Sequence, residues 1–253
     1  MPLEIVTIPC LEDNYAYLVN GTDGVAIIDA PEAAPIIDAL DSRGWTPGVI
    51  MLTHHHWDHV QAIDELKEKY GCMVMGPKAE EDKLPKLDFA LPNGFSGGSG
   101  NSLCQVIPVP GHTLGHVAYY YPEGPAVFTA DSLMALGCGR LFEGTSEMMW
   151  DSLSRLAELP GETMVYSGHE YTTGNAKFAL TIDPDNQNLI SRVRDIEVAR
   201  KAGLPTAQVP LSLELETNPF LRASDEDLKT SLGMASASNV EVFAEIRARK
   251  DAF

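Results

Sequence analysis

Val49-Ile50-Met51-Leu52-Thr53-His54-His55-His56-Trp57-Asp58-His59-Val60 is the stretch that decides how this chain is read. Residues 49–52 form a continuous apolar run of buried-strand type. From Val60 onward, Val60, Ile63, Leu66 and Tyr70 follow a helical period, and Gly71 supplies a C-terminal stop. Residues 53–59 therefore sit on a strand-to-helix loop, where α/β sheets commonly place their chemistry. Zinc and similar ions take neutral imidazole nitrogens and carboxylates at about 2.0–2.2 Å. His54 and His56 are one residue apart. Alternate side chains of an extended backbone share a side, so both can reach one ion while His55 points away. Asp58 and His59, at the helix start, can reach a second ion. Five donors exceed what one tetrahedral site with an open water position can use, which favours two metals. The run is internal, interrupted by Trp57 and Asp58, and framed by a strand and a helix, so it is not a polyhistidine tag.

The remaining histidines extend the pattern. His112 and His116 lie in Pro110-Gly111-His112-Thr113-Leu114-Gly115-His116, and His169 lies in Tyr166-Ser167-Gly168-His169. His112 follows an apolar strand. Asp131 ends Phe128-Thr129-Ala130-Asp131, and His169 ends its own strand. Donors at several strand ends suit one shared site edge. His55 and His116 are left to orienting or structural roles.

Turn signals at Asn20-Gly21 and Asp23-Gly24 separate short strands at 4–9, 15–20 and 25–29. A helix is predicted over 33–43, closed by Gly44. Further strands are predicted near 72–75, 103–108, 116–121, 126–130 and 163–166, with a helix over 146–159. Residues 93–101 are glycine-rich but lack a phosphate loop's Lys-Ser/Thr ending, so they read as a flexible surface turn. Beyond residue 171 the texture becomes helical, with helices at 186–202, 224–232 and 239–250 around a stretch carrying Pro205, Pro210 and Pro219. The expected division is 1–170 and 171–253.

The formal net charge is -18. Residues 171–253 hold ten Lys/Arg and twelve Asp/Glu, so residues 1–170 carry a net of -16. That balance excludes a duplex nucleic-acid partner, which requires a basic footprint. An anionic substrate must find its positive contacts at metal ions or in the nearly neutral C-terminal part. No apolar run approaches the roughly 20 residues of a membrane span. The N-terminus lacks a signal-peptide pattern. Four cysteines without framework spacing read as reduced thiols. A cytoplasmic monomer without membrane partners is the expectation.

The motifs THHHWDH, PGHTLGH, TADSL, GCGRLFEGT and GHEYT, with the terminal Arg247-Ala248-Arg249-Lys250, resemble the metallo-β-lactamase superfamily. Within it, they resemble the glyoxalase II (hydroxyacylglutathione hydrolase) family. The resemblance implies an α/β fold, a four-layer αβ/βα sandwich with a C-terminal helical domain. It also implies two divalent metal ions per chain, zinc first, with iron or manganese as alternatives. His54, His56 and His112 would hold one ion, Asp58, His59 and His169 the other, and Asp131 would bridge them. Asp58 and Asp131 would also carry the catalytic task of positioning the hydroxide. The implied partner is a small-molecule glutathione thioester. The implied reaction is hydrolysis of S-D-lactoylglutathione to glutathione and D-lactate, the second step of methylglyoxal detoxification.

The same resemblance assigns glutathione binding to Arg140, Phe142, Tyr171, Arg247 and Lys250. Helical spacing supports part of this independently. Phe243 and Arg247 are i,i+4, and Arg247 and Lys250 are i,i+3, so both cations share a face beside an apolar anchor. Two positions depart from the family pattern: Arg140 where Lys is common, and Phe142 where Tyr is common. Arg keeps the charge and changes its geometry, while Phe142 lacks a hydroxyl donor. Cys138 in Gly-Cys-Gly reads as a small buried residue. Other hydrolases of the superfamily, a mononuclear persulfide dioxygenase, a di-iron electron-transfer module and a non-catalytic metal protein are the competing readings.

Overall fold

The computed structural model describes residues 2–253, which divide into two compact units. The first runs to Pro108 and resumes over Leu114–Thr129. It opens with the meander β1 (Glu4–Cys10), β2 (Asn14–Gly21) and β3 (Gly24–Ile28), then α1 (Ala33–Arg43) and β4 (Pro47–Met51). The short helix α2 (Trp57–Val60), α3 (Ile63–Tyr70), β5 (Met73–Pro77) and β6 (Phe89–Leu91) follow. These strands form one sheet in the order β1-β2-β3-β4-β5-β6. β1 to β3 pair antiparallel, and the helical crossovers make β3 to β6 parallel.

Strand alternation sends side chains to both faces of this sheet. Ala16 and Leu18 of β2 join Ile36, Leu40, Ile63 and Leu66 in a core under α1 and α3. Tyr17 points the other way and meets Phe128 at 5.3 Å between ring centroids. Phe128 belongs to β10 (Ala126–Ala130), which pairs antiparallel with β9 (Val117–Tyr121). Beyond β9 lie β8 (Cys104–Pro108) and β7 (Ser96–Gly97). The Tyr119 hydroxyl donates to the Leu52 carbonyl at 2.5 Å, tying this layer to the first sheet. Leu40 is fully buried, so truncating it to Ala would cost about 2–5 kcal/mol.

Gly44 (φ 64°) and Gly71 (φ 65°) end α1 and α3 in the left-handed region, as their positions predict. Two expectations change. The helix through Val60 is broken at residues 61–62, because Ala30 takes the bonds a continuous helix would use. Ala30 N–H donates to the His59 carbonyl (2.7 Å), and Ala62 N–H donates to the Ala30 carbonyl (3.0 Å). The glycine-rich stretch is pinned rather than flexible. Asp23 accepts from the Ser99 amide (2.7 Å) and hydroxyl, Asn101 accepts from the Thr22 amide (2.7 Å), and Ser102 accepts from the Asp23 amide (2.9 Å).

The second unit comprises Val109–Thr113 and Ala130–Phe253. It holds the hairpin β11 (Leu133–Met134) and β12 (Gly137–Cys138), then α4 (Ser146–Ala157), β13 (Met164–Ser167), α5 (Thr172–Ile182) and α6 (Gln187–Lys201). β14 (Gln208–Pro210) pairs with β13, and α7 (Leu211–Thr217), α8 (Glu226–Ser231) and α9 (Asn239–Ala252) complete the chain. The change of sequence texture at 170 lies within this second unit. The hairpin and α4 lie with the helices: Trp150 of α4 meets Phe243 of α9 at 6.3 Å. Sequence periodicity does not reveal α5, whose Gly174, Asn175 and three threonines are weak helix formers. Burial of Ala176, Ala179 and Ile182 offsets that weakness. Ser238 starts α9 through a reciprocal capping box with Glu241. Among the described residues, no helix is long and apolar enough to cross a membrane.

Candidate metal centre and anion pocket

In the first unit, β3 and β4 bring Asp29 and Thr53 side by side at their C-terminal ends. Asp29 adopts φ 56°, a strained conformation for a non-glycine residue, directly after β3. Its carboxylate accepts from the Thr53 amide and hydroxyl, both at 2.8 Å, and lies 2.8 Å from His59 Nδ1. Thr53 Oγ1 lies 3.0 Å from His54 Nδ1. Nδ1 of both imidazoles is thus engaged, which turns Nε2 toward the candidate ion, the arrangement that orients metal-binding histidines. Asp29, His54 and His59 offer ligand atoms within 4.8 Å of one another. The His54 ring lies 4.7 Å from that of His56 and 4.3 Å from that of His59. Asp58 is oriented by Asn14, whose amide donates to Asp58 Oδ2 at 2.9 Å. His59 Nε2 lies 3.8 Å from the same oxygen.

His55 and His116, expected in supporting roles, each contact a buried neighbour. His55 bonds through its amide (2.8 Å) and Nδ1 (2.7 Å) to Glu80, which also accepts from the Gly115 amide at 3.0 Å. Buried Glu80 thereby ties the first histidine loop to the second. His116 stacks on His54 at 4.6 Å and 18°. Neither Asp29 nor Glu80 is legible as a supporting residue in the sequence, because both act across long sequence separations.

In the second unit, Asp131 follows β10 after Ala130, held at φ 40°. Its Oδ2 lies 3.3 Å from His112 Nε2 and 3.3 Å from His169 Nε2. His112 Nδ1 lies 2.8 Å from the Arg140 carbonyl oxygen, fixing its other nitrogen toward Asp131. One carboxylate oxygen between two imidazole nitrogens fits a divalent ion, and so does the His/Asp chemistry of both donor sets. Gly139 is obligatory here. A Cβ at that position would stand 1.9 Å from the Asp131 carbonyl oxygen.

Beside Asp131 and His112 opens a cavity of about 570 Å³, lined among others by Arg140, Phe142, Tyr171, Arg247 and Lys250. All five predicted substrate residues therefore face one space. Phe142 is exposed, with its ring edge-on to His112 at 5.2 Å, and Tyr171 stacks on His169 at 4.8 Å and 9°. Arg247 is buried. It pairs with Asp251 (2.7 Å), donates to the Cys138 carbonyl (3.0 Å), and lies over the Phe220 ring at 5.2 Å. Lys250 lies over Phe178 at 5.1 Å. Burial, then the charges of Arg247 and Arg140, hold the Lys250 ammonium below its usual range. Arg140, Arg247 and Lys250 lining one cavity suit an anion. Burial pushes the Cys138 thiol up to about 11, so it is no nucleophile at neutral pH.

Residues 11–169 match the metallo-beta-lactamase superfamily profile, and residues 170–253 match the hydroxyacylglutathione hydrolase C-terminus profile. A hydroxyacylglutathione hydrolase of Ruegeria pomeroyi is 56% identical over 100% of both chains, and one of Methylococcus capsulatus is 48% identical over 99% of both. ETHE1 from Myxococcus xanthus superposes with a TM-score of 0.68 at 23% identity, over 98% of this chain and 90% of that one. That likeness bears out the expected fold class.

Proposed function

The chain belongs to the hydroxyacylglutathione hydrolase family of the metallo-beta-lactamase superfamily, and from that premise we propose that it hydrolyses S-D-lactoylglutathione to glutathione and D-lactate. The observation that carries the substrate assignment is the cavity where Arg140, Arg247 and Lys250 converge beside Asp131 and His112. Glutathione brings two carboxylates and one ammonium, so its thioester is a net anion that such a pocket attracts.

In this reading, His54, His56 and His112 would hold one divalent ion and Asp58, His59 and His169 would hold a second, with Asp131 available to both. Zinc is the first choice for this His/Asp donor set, with iron and manganese compatible. Bound divalent ions would supply hydroxide at neutral pH, since a metal lowers the pKa of bound water from about 15.7 to about 7. Asp58 and Asp131 would orient the attacking oxygen toward the thioester carbonyl. Tyr171, stacked on His169, and the exposed Phe142 would flank the glutathione chain. Arg140 and Lys250 would take its carboxylates, with Arg247 shaping the pocket floor. The thiolate leaves without acid help, so no protein nucleophile is needed.

The test is hydrolysis of S-D-lactoylglutathione beside a lactone and a β-lactam, with metal content measured on the same sample. Thioester turnover with two metals per chain is the expected result. Preference for the lactone or the β-lactam would reject the substrate assignment, and one metal per chain would reject the binuclear one.

A further inference from the structure

The hairpin loop that precedes Arg140 is held by a buried polar cluster for which the reaction has no direct use. Leu136, at its tip, is fully buried and adopts φ 56°, a conformation that costs a branched residue and persists only when its surroundings impose it. The imposing group is Glu214 of α7. Its carboxylate accepts the Leu136 amide through both oxygens, at 3.0 and 3.3 Å. Asn218 bridges the same carboxylate (2.8 Å) to the carbonyls of Met134 (3.1 Å) and Gly137 (3.0 Å). Asn175 donates to the Ala135 carbonyl at 3.0 Å, and the Ala135 amide donates to Ser167 Oγ at 3.2 Å. Behind Glu214, Arg192 pairs with its carboxylate and donates to Thr217 Oγ1 at 2.6 Å.

Glu214, Thr217 and Asn218 are wholly buried and Arg192 nearly so. A buried ion pair contributes little to stability compared with apolar packing of the same volume, so its presence asks for another reason. The loop it grips supplies one. Directly after Gly137, the Cys138 carbonyl accepts from Arg247, and the Arg140 carbonyl lies 2.8 Å from His112 Nδ1. The front of the loop therefore carries one pocket cation and anchors another, while the backbone groups at its tip are held from behind by the side chains of Glu214, Asn218, Asn175 and Ser167.

We propose that Glu214, with Arg192 and Asn218, is the positioning centre for the loop over residues 134–140, and that it thereby sets the affinity of the pocket for the anion. The carboxylate matters because one group must accept from Leu136 and Asn218 together. Oε2 accepts from both while Oε1 faces Arg192; a neutral amide keeps only one acceptor oxygen, so its NH2 group must face either Arg192 or the two loop-holding donors. The proposal rests on the glutathione-thioester reading of the pocket.

The test compares Glu214→Gln and Asn218→Ala with Thr217→Val, which removes a bond of the same cluster without touching the loop. Three readouts are taken: KM and kcat for S-D-lactoylglutathione, glutathione affinity by calorimetry, and amide exchange over residues 136–140. Glu214→Gln and Asn218→Ala are expected to raise KM and the glutathione Kd about tenfold, with kcat within about twofold. They should also speed exchange across the loop. Thr217→Val is expected to lower the melting temperature and leave KM unchanged. Should Glu214→Gln not fold, Asn218→Ala carries the comparison, since it leaves no buried charge unpaired. The proposal is overturned if KM moves equally in Thr217→Val, or stays constant in Asn218→Ala. If the native chain neither hydrolyses the thioester nor binds glutathione, the functional reading falls. The exchange rates then decide by themselves whether Glu214 and Asn218 hold the loop.

Discussion

Replacing Gly139 by alanine tests the geometry of the metal centre through a single methyl group. The added Cβ would lie 1.9 Å from the Asp131 carbonyl oxygen and 3.1 Å from His112 Nδ1, where ordinary contact begins at 3.4 Å. Relief requires about 1.5 Å of movement, the difference between 3.4 and 1.9 Å. Both neighbours are backbone or ring atoms, so no flexible side-chain end can yield. The movement must shift Asp131, whose Oδ2 stands 3.3 Å from both His112 and His169. Misplacement of a reacting group by about 1 Å costs about 10²-fold in rate. Overpacking strain adds about 1–3 kcal/mol of destabilisation, or about 2–12 °C of melting temperature in a chain of this size. The control is Gly174→Ala, in α5, which lines the same cavity but whose would-be Cβ meets nothing within 4 Å beyond its chain neighbours and its own helix backbone. It should gain about 0.5–1 kcal/mol from helix propensity and keep its activity. The assay is kcat/KM for the lactoyl thioester together with metal content and thermal melting. A Gly139→Ala enzyme that binds two metals and keeps kcat/KM within about threefold of the native value refutes the reasoning.

Three further outcomes are expected. Asp29→Asn should weaken metal affinity about 10–100-fold, read by chelator competition, because Asp29 orients both His59 and Thr53; unchanged affinity would remove Asp29 from the metal site. Lys250 is held below the usual lysine value of 10.5 by burial, then by Arg247 and Arg140. Its cost to the fold is therefore full below the lowered pKa and fades as pH rises toward 10.5. Anion binding needs the protonated form, so KM should rise with pH through that same alkaline window while this group leaves kcat flat. Lys250→Arg, always charged, should flatten the KM limb, and an identical limb would assign the titration elsewhere. Phe142→Tyr should lower KM about 2- to 10-fold with similar kcat, since one hydrogen bond contributes about 0.5–1.5 kcal/mol; an unchanged KM would show that the missing hydroxyl is irrelevant.

Local patterns made the outline readable. The apolar run at 49–52, the period from Val60 and the stops at Gly44 and Gly71 depend on nearest neighbours, so they survive into the fold. Five donors within 54–59 announce metal without any tertiary knowledge. The spacing of Phe243, Arg247 and Lys250 similarly announces one basic helix face. Elements with poor propensity, such as α5 and the proline-flanked β14 and α7, were not legible, because burial against the rest of their unit is what stabilises them. The glycine-rich stretch misled for the same reason, since its restraint comes from Thr22 and Asp23, more than seventy residues earlier.

The sequence by itself determined which side chains are available to bind metal and an anion, because that depends on residue type and short-range spacing. Only the tertiary structure decided which way they face. Asp29 turns His59, Glu80 holds His55, and Glu214 grips the loop before Arg140, at separations of 30, 25 and 78 residues. A buried polar atom must find its partner wherever packing places one, and no period along the chain encodes that choice.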